Sequence, residues 1–213
     1  DNRLKALNSL INNLKVPYII ITDKNYKSFE LKNKPFHKAF EYLSGNHKSD
    51  YLRAYLLNYY GGGYHDIKYR SKDWVGQWES FSDDNIWIKT RRETHPHHIG
   101  YDIDNPKSKI YQTKYNELGT MGWVICRPNT LYTKELLFKI HKKLDYHYNN
   151  LIKYPSKKQG GYYANRPFSK IKKSDEYPLR WLEIMGEISH PLMYKYKTHL
   201  NFELPDALKK KYK

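Results

Sequence analysis

The sequence predicts an α/β fold, because helical and extended patterns alternate along the chain. Residues 3–14 carry leucine and isoleucine at helical spacing, which predicts an amphipathic first helix. Residues 17–22 form a short apolar run bounded by charged residues, which predicts a buried strand. Residues 49–60 repeat the helical spacing, and alternation from Tyr64 onward predicts a strand after them. Alternating helices and strands are typical of a sheet flanked by helices.

The stretch from residue 48 to residue 68 reads as a capped helix, a glycine turn and the start of a strand. Ser49 or Asp50 is a candidate N-cap, because a short side-chain oxygen can accept from the free N–H groups of the first turn. Three glycines at residues 61–63 are expected to end the helix, since glycine enters left-handed conformations at little cost.

Charged side chains in this stretch are expected to meet. Asp50 and Arg53 lie near the start of the predicted helix, and Asp66 lies just beyond the glycine turn. If the strand folds back beside the helix, two carboxylates and a guanidinium share one cleft.

These residues resemble the core of the small GT-A nucleotide-sugar glycosyltransferases. That family's pattern is roughly Ser-Asp-x-x-Arg, a helix, Tyr-Gly-Gly and Asp-x-Asp. The matching residues here are Ser49, Asp50, Arg53, Tyr60, Gly61, Gly62 and Asp66. Residues 177–183 and 186–191 are also similar to chlorovirus glycosyltransferases that build capsid glycans. Lys68 stands here in place of the second Asp of Asp-x-Asp, and capsular-polysaccharide-type transferases also vary at that position. The resemblance implies a single GT-A (Rossmann-like) domain whose central mixed, mostly parallel sheet is flanked by helices.

The resemblance also implies an activity, the transfer of a sugar from a UDP-sugar donor to a glycan or glycoprotein acceptor. Asp50, Arg53 and Asp66 would bind the donor sugar. Asp66 and His190 would hold Mn²⁺, or Mg²⁺, on the diphosphate, with His199 as the alternative histidine. Histidine nitrogen suits Mn²⁺ better than Mg²⁺.

Three further residues are predicted to contact the nucleotide. Thr22 ends the first predicted strand and Asp23 follows it, and ligands of open α/β sheets bind outside the carboxyl ends of strands. An ordinary turn with a side-chain cap is the alternative for this pair. Lys68 stands where the second Asp of Asp-x-Asp is expected; if it points inward, its ammonium can contact phosphate in place of some of the metal charge.

The catalytic base is expected to be a carboxylate if the transfer inverts the anomeric centre. Glu183 is the first candidate and Asp175 the second, whereas a retaining transfer needs no such base. The sequence leaves the stereochemistry open. Residues 159–163, with two glycines and two tyrosines, are a candidate lid over the donor, with a simple loop as the alternative.

Further elements are predicted towards the carboxyl end. Residues 85–90 and 119–129 read as strands, and Thr130 or Thr133 is expected to begin a helix that runs through Leu144. Residues 180–185 are expected to be helical, and His190, before a proline, is expected in a loop or at a strand end. The Asp-x-Asp at residues 102–104 lacks a preceding helix and glycine turn, so it ranks below Asp66.

Length and composition favour one domain over residues 1–213. A donor-binding half covers about 1–110, an acceptor-side half about 111–205, and a basic tail 206–213. No apolar run approaches the roughly 20 residues that span a bilayer. The single cysteine, Cys126, excludes an internal disulfide and predicts a reducing, cytoplasmic setting, which is the host cytoplasm if the protein is viral.

The formal net charge of +16 indicates an anionic partner. Lys and Arg are scattered from end to end, which is more typical of a solvated surface than of a nucleic-acid track, so nucleic acid is not the expected partner. Two alternatives stay open: a basic nucleic-acid-binding module, and a degenerate transferase that binds nucleotide-sugar without turnover.

Overall fold

The computed structural model describes residues 2–156 and 177–207. The helices in these residues are α1 (Asn2–Asn13), α2 (Gly45–Tyr59), α3 (Ile110–Thr113), α4 (Leu131–Lys153) and α5 (Gly186–Lys195). The strands are β1 (Gly62–His65), β2 (Ile88–Arg92), β3 (Gly119–Cys126) and β4 (Leu200–Asn201). The α/β class and the first helix are therefore confirmed.

The strands form one mixed sheet in the order β1-β3-β2-β4. β3 lies inside the sheet and pairs antiparallel with both β1 and β2, while β2 pairs parallel with β4. A mixed sheet was predicted, but its expected parallel majority is wrong for the described strands.

The strand predicted at residues 17–22 is absent, and this segment crosses the surface in an irregular conformation. Ile19 is 68% exposed, and Tyr18 and Ile20 are also exposed, at 46% and 40%. β-Branched residues favour an extended backbone, but a strand also needs a neighbour to pair with. In the described residues this segment pairs with neither edge strand of the sheet, β1 or β4, and an apolar run by itself does not show whether such a partner is available.

Helix α2 begins earlier than predicted. Its N-cap is Ser44, whose hydroxyl accepts from the backbone N–H of His47 at 3.3 Å, so Ser49 and Asp50 lie inside the helix. The predicted glycine stop is confirmed, because Gly61 and Gly62 have φ angles of +69° and +82°. The chain therefore reverses at once and β1 starts beside the helix.

Strand β3 separates two apolar layers. Val124 and Cys126 point into the main core, which α2, α4 and α5 cover, whereas Trp123 and Ile125 point into a smaller cluster with Trp74. This alternation confirms the strand predicted within residues 119–129, and it buries Cys126. The N-cap of α4 is Thr130, the first of the two predicted starts, and the helix extends beyond Leu144.

The region before α5 differs from the prediction. Residues 180–185 are not helical: residues 181–185 form turns, and the helix starts at Gly186 and includes both His190 and Pro191. Proline lacks one backbone donor, but neighbouring buried side chains such as Leu192 and Met193 anchor this helix to the core. None of the described helices is long and apolar enough to cross a membrane.

Candidate functional site

Asp50 and Arg53 lie one turn apart on α2 and face the sheet. The Nη2 atom of Arg53 lies 3.0 Å from Asp50 Oδ1, and its Nη1 donates to the carbonyl oxygen of Met121 at 2.9 Å. Both charged side chains are only 8% exposed. The guanidinium therefore joins the helix to β3.

Asp66 follows the last residue of β1. Its backbone N–H donates to the carbonyl oxygen of Gly122 at 2.7 Å, which keeps it beside β3. Its Oδ1 atom lies 3.6 Å from Arg53 Nη2. The predicted meeting of Asp50, Arg53 and Asp66 is confirmed, and we call this group of side chains the cleft; its role stays a prediction.

Lys68 points into this cleft. Its Nζ lies 2.9 Å from Asp66 Oδ2, and the side chains of Lys68 and Asp66 are 36% and 28% exposed. A Cβ on Gly122 would lie 3.1 Å from Asp66 Oδ2 and 3.3 Å from Lys68 Nζ. The absence of a side chain at Gly122 therefore leaves room for the ion pair against the backbone of β3.

Tyr64 is a further site residue that the sequence analysis did not assign. Its hydroxyl donates to Asp66 Oδ1 at 2.8 Å and accepts from Arg53 Nη2 at 3.1 Å. Ser49 Oγ lies 3.2 Å from the same hydroxyl. The signal was present, because Tyr64 and Asp66 are two residues apart and an extended chain places such residues on one face.

The two carboxyl groups of the cleft titrate differently. Burial raises the pKa of Asp50 to about 6, although Arg53 partly offsets this. Burial also acts to raise the pKa of Asp66, but Arg53 and Lys68 together hold it below its usual value. Asp66 is therefore ionised at neutral pH, while Asp50 changes its charge around pH 6.

His190 does not meet Asp66. The backbone N–H of Gly100 donates to His190 Nδ1 at 3.0 Å, the residue is 4% exposed, and burial lowers its pKa to about 4. Within the described residues no hydrogen bond or ion pair joins it to Asp66. The competing His199 stacks on Trp87 with 3.6 Å between the ring centroids.

The side chains near Asp66 do not fit a resident divalent cation. Mn²⁺ and Mg²⁺ prefer about six oxygen or nitrogen ligands. Across residues 2–156 and 177–207, no three His, Cys, Asp or Glu side chains are grouped so as to hold a metal. Both oxygens of Asp66 already face donors, Tyr64 on one side and Lys68 on the other.

Glu183 is buried in an ion-pair cluster. It is 1% exposed, and its carboxylate accepts from His147 Nε2 at 2.7 Å and from the backbone N–H of Arg180 at 2.9 Å. Burial acts to raise its pKa, but the His147 and Arg180 hydrogen bonds prevail and hold it at about 2. A carboxylate held so firmly is a weak proton acceptor, which counts against the base assignment. The second candidate, Asp175, and the candidate lid lie outside the described residues.

Thr22 and Asp23 occupy an exposed turn. The backbone N–H of Thr22 donates to Asn25 Oδ1 at 2.7 Å, and the N–H of Asn25 donates to the carbonyl oxygen of Thr22 at 3.1 Å. The side-chain-capped turn that stood as the alternative is thus present, and nucleotide contact by this pair stays a prediction.

The Asp-x-Asp at residues 102–104 has another role in the fold. Asp102 and Asp104 lie 3.5 and 3.4 Å from the guanidinium of Arg180, which also pairs with Glu187 at 2.9 Å. These carboxylates balance an arginine and do not follow a strand. Asp66 therefore remains the better candidate for donor binding.

No protein-family model matches the chain, and neither a curated protein nor a solved structure is similar to it. The assignment of a function therefore depends on the residue pattern and on the geometry of the cleft.

Proposed function

We propose that the chain is a glycosyltransferase that moves a sugar from a UDP-sugar to a glycan or glycoprotein acceptor. The observation that carries this proposal is the meeting of Asp50, Arg53 and Asp66 where α2 and the carboxyl end of β1 converge. The residues that resemble the GT-A pattern are thus also the residues that form one polar cleft.

The cleft suits a nucleotide-sugar donor because each of its charged residues can take a different role. Asp66 is more exposed than Asp50 and Arg53, and lone pairs that Tyr64 and Lys68 leave on its carboxylate can accept from donor-sugar hydroxyls. Asp50 lines the inner wall and becomes an acceptor when ionised. Arg53 holds both carboxylates in place and offers positive charge behind them.

The transfer breaks the bond between the anomeric carbon and an oxygen of the β-phosphate. The electron pair stays on that oxygen, so negative charge grows on the departing UDP and requires a positive neighbour. The acceptor hydroxyl oxygen bonds to the anomeric carbon, and its proton passes to a base or to water. Lys68 supplies a partly exposed cation beside Asp66. The predicted Mn²⁺ is left out of the proposal because the side chains do not fit it.

The proposal is tested by calorimetric titration with UDP, GDP and CMP, followed by measurement of UDP release from a panel of UDP-sugars. We expect wild type and Asp84→Ala to bind UDP and a UDP-sugar alike, and we expect Asp66→Ala to bind the UDP-sugar at least tenfold more weakly, because the donor-sugar hydroxyls lose their acceptor. Asp84 is the matched control because its side chain is 96% exposed. If wild type binds none of the nucleotides, the donor-site proposal is wrong.

A second candidate, nucleic-acid binding, is favoured by the net charge of +16. Such binding weakens steeply with salt, because each neutralised phosphate releases counterions. Fluorescence anisotropy with labelled oligonucleotides at low and high salt tests it. Tight, salt-sensitive binding together with no UDP binding supports this candidate, whereas UDP binding without sugar release supports a degenerate transferase.

A further inference from the structure

We propose that Lys68 takes the place of the divalent cation at the donor diphosphate, so that this chain binds UDP-sugar without a metal. The inference rests on the proposed function and specifies how the site binds its ligand. It begins from the disagreement between the Asp-x-Asp pattern and the side chains present around Asp66.

Lys68 matches the net charge that is expected at the second position of the motif. An aspartate there carries one negative charge, and a bound divalent cation adds two positive charges, which leaves one positive charge. Lys68 carries one positive charge by itself. Lys68 therefore presents to the diphosphate the same net charge that an aspartate and a bound divalent cation present together.

Positively charged groups already face both carboxylate oxygens of Asp66. Lys68 Nζ lies 2.9 Å from Oδ2, and Arg53 Nη2 lies 3.6 Å from Oδ1. A divalent cation on Oδ2 would have to displace the ammonium or repel it at close range. Displacing it would break the 2.9 Å ion pair between Lys68 Nζ and Asp66 Oδ2.

Lys68 can also reach a ligand. A backbone hydrogen bond of 2.7 Å from the Lys68 N–H to the carbonyl oxygen of Asp66 closes a tight turn. The side chains of Asp66 and Lys68 therefore start close together, at the two ends of this turn. Nζ lies 5.1 Å from the centre of the Trp123 ring, and the side chain is 36% exposed. An ammonium has three donors, so the one that Asp66 takes leaves two for phosphate oxygens.

The charges of the cleft balance. Asp50 and Asp66 face Arg53 and Lys68, so two potential negative charges meet two positive charges. The carboxylates therefore leave no net negative charge that would repel a diphosphate, and no metal is needed to cancel one.

The test compares UDP affinity in excess EDTA with affinity in millimolar Mn²⁺, by calorimetry at pH 7.5. We expect the wild-type dissociation constants to agree within about twofold. We expect Lys68→Met to weaken UDP at least tenfold in EDTA while leaving uridine affinity unchanged, since uridine has no phosphate. Lys72→Met, an exposed lysine four residues away, is the matched control and should bind UDP as wild type does.

A second variant makes the test sharper. Lys68→Asp restores the Asp-x-Asp pattern, and we expect its UDP binding to be weak in EDTA and to recover in Mn²⁺. Wild type that binds UDP only with Mn²⁺ overturns the replacement of the metal but leaves the proposed function intact. Wild type that binds no nucleotide in either buffer overturns the proposed function itself, so the two failures are distinguishable.

Discussion

Replacement of Glu183 by Gln should destabilise the fold by about 3 kcal/mol at neutral pH. The side chain is 1% exposed, so its charge interactions are little screened by solvent. Its pKa of about 2 in the folded protein lies about 2.5 units below the usual value of 4.5, and each unit corresponds to about 1.4 kcal/mol. Removing one member of a buried ion pair typically costs about 3–5 kcal/mol, which agrees in size.

The pH dependence gives this prediction its sign. Because the folded-state pKa is depressed, ionised Glu183 stabilises the protein above pH 4.5 and its contribution is lost as pH falls towards 2. Urea denaturation followed by tryptophan fluorescence at pH 7 and at pH 3.5 measures the difference between Glu183→Gln and wild type. We expect it to shrink at the lower pH, with the exposed Glu79→Gln unchanged at both.

Two results would refute the reasoning about Glu183. One is a loss below about 1 kcal/mol at pH 7, which would mean that the buried cluster contributes little. The other is a fully stable Glu183→Gln protein that binds UDP-sugar normally but transfers no sugar. That outcome would restore Glu183 as the catalytic base.

Three further predictions concern the cleft. Donor-sugar affinity should rise up to roughly tenfold between pH 5 and 7 as Asp50, with its pKa of about 6, ionises; calorimetry with a UDP-sugar measures it, and a rise that persists in Asp50→Asn contradicts it. Tyr64→Phe removes the hydroxyl between Arg53 and Asp66, so urea denaturation should show a loss of about 1–2 kcal/mol; no loss would mean that the hydroxyl is dispensable. Gly122→Ala places a methyl group 3.1 Å from Asp66 Oδ2, so UDP should bind several-fold more weakly to a folded protein; unchanged affinity would put the diphosphate elsewhere.

The cleft could be predicted because its geometry is local. A helix, a glycine turn and a returning strand fix the relative positions of Asp50, Arg53 and Asp66 within a short stretch of chain. Glycine at residues 61 and 62 allows the reversal, as their positive φ angles confirm. Patterns of this range need no knowledge of distant partners.

Contacts between residues that are far apart in the chain could not be predicted from sequence patterns. Glu183 pairs with His147, which is 36 residues away, and no periodicity marks such a pair. The apolar segment 17–22 has the composition of a strand but no neighbour in the sheet. His190 was expected beside a metal on the strength of chain order, whereas packing places it against Gly100.

The direction in which Lys68 points could not be predicted from the sequence either. The alternation of side chains between the two faces of a strand ends at the turn after Asp66. The close approach of its Nζ to Asp66 Oδ2 decides in favour of the inward orientation.

The most direct measurement is a crystal structure of the protein grown with UDP in EDTA. We expect a β-phosphate oxygen within about 3 Å of Lys68 Nζ, the usual length of a charge-assisted hydrogen bond, beside the carboxylate of Asp66. UDP bound away from Asp50, Arg53 and Asp66 would contradict the assignment of this cleft as the donor site.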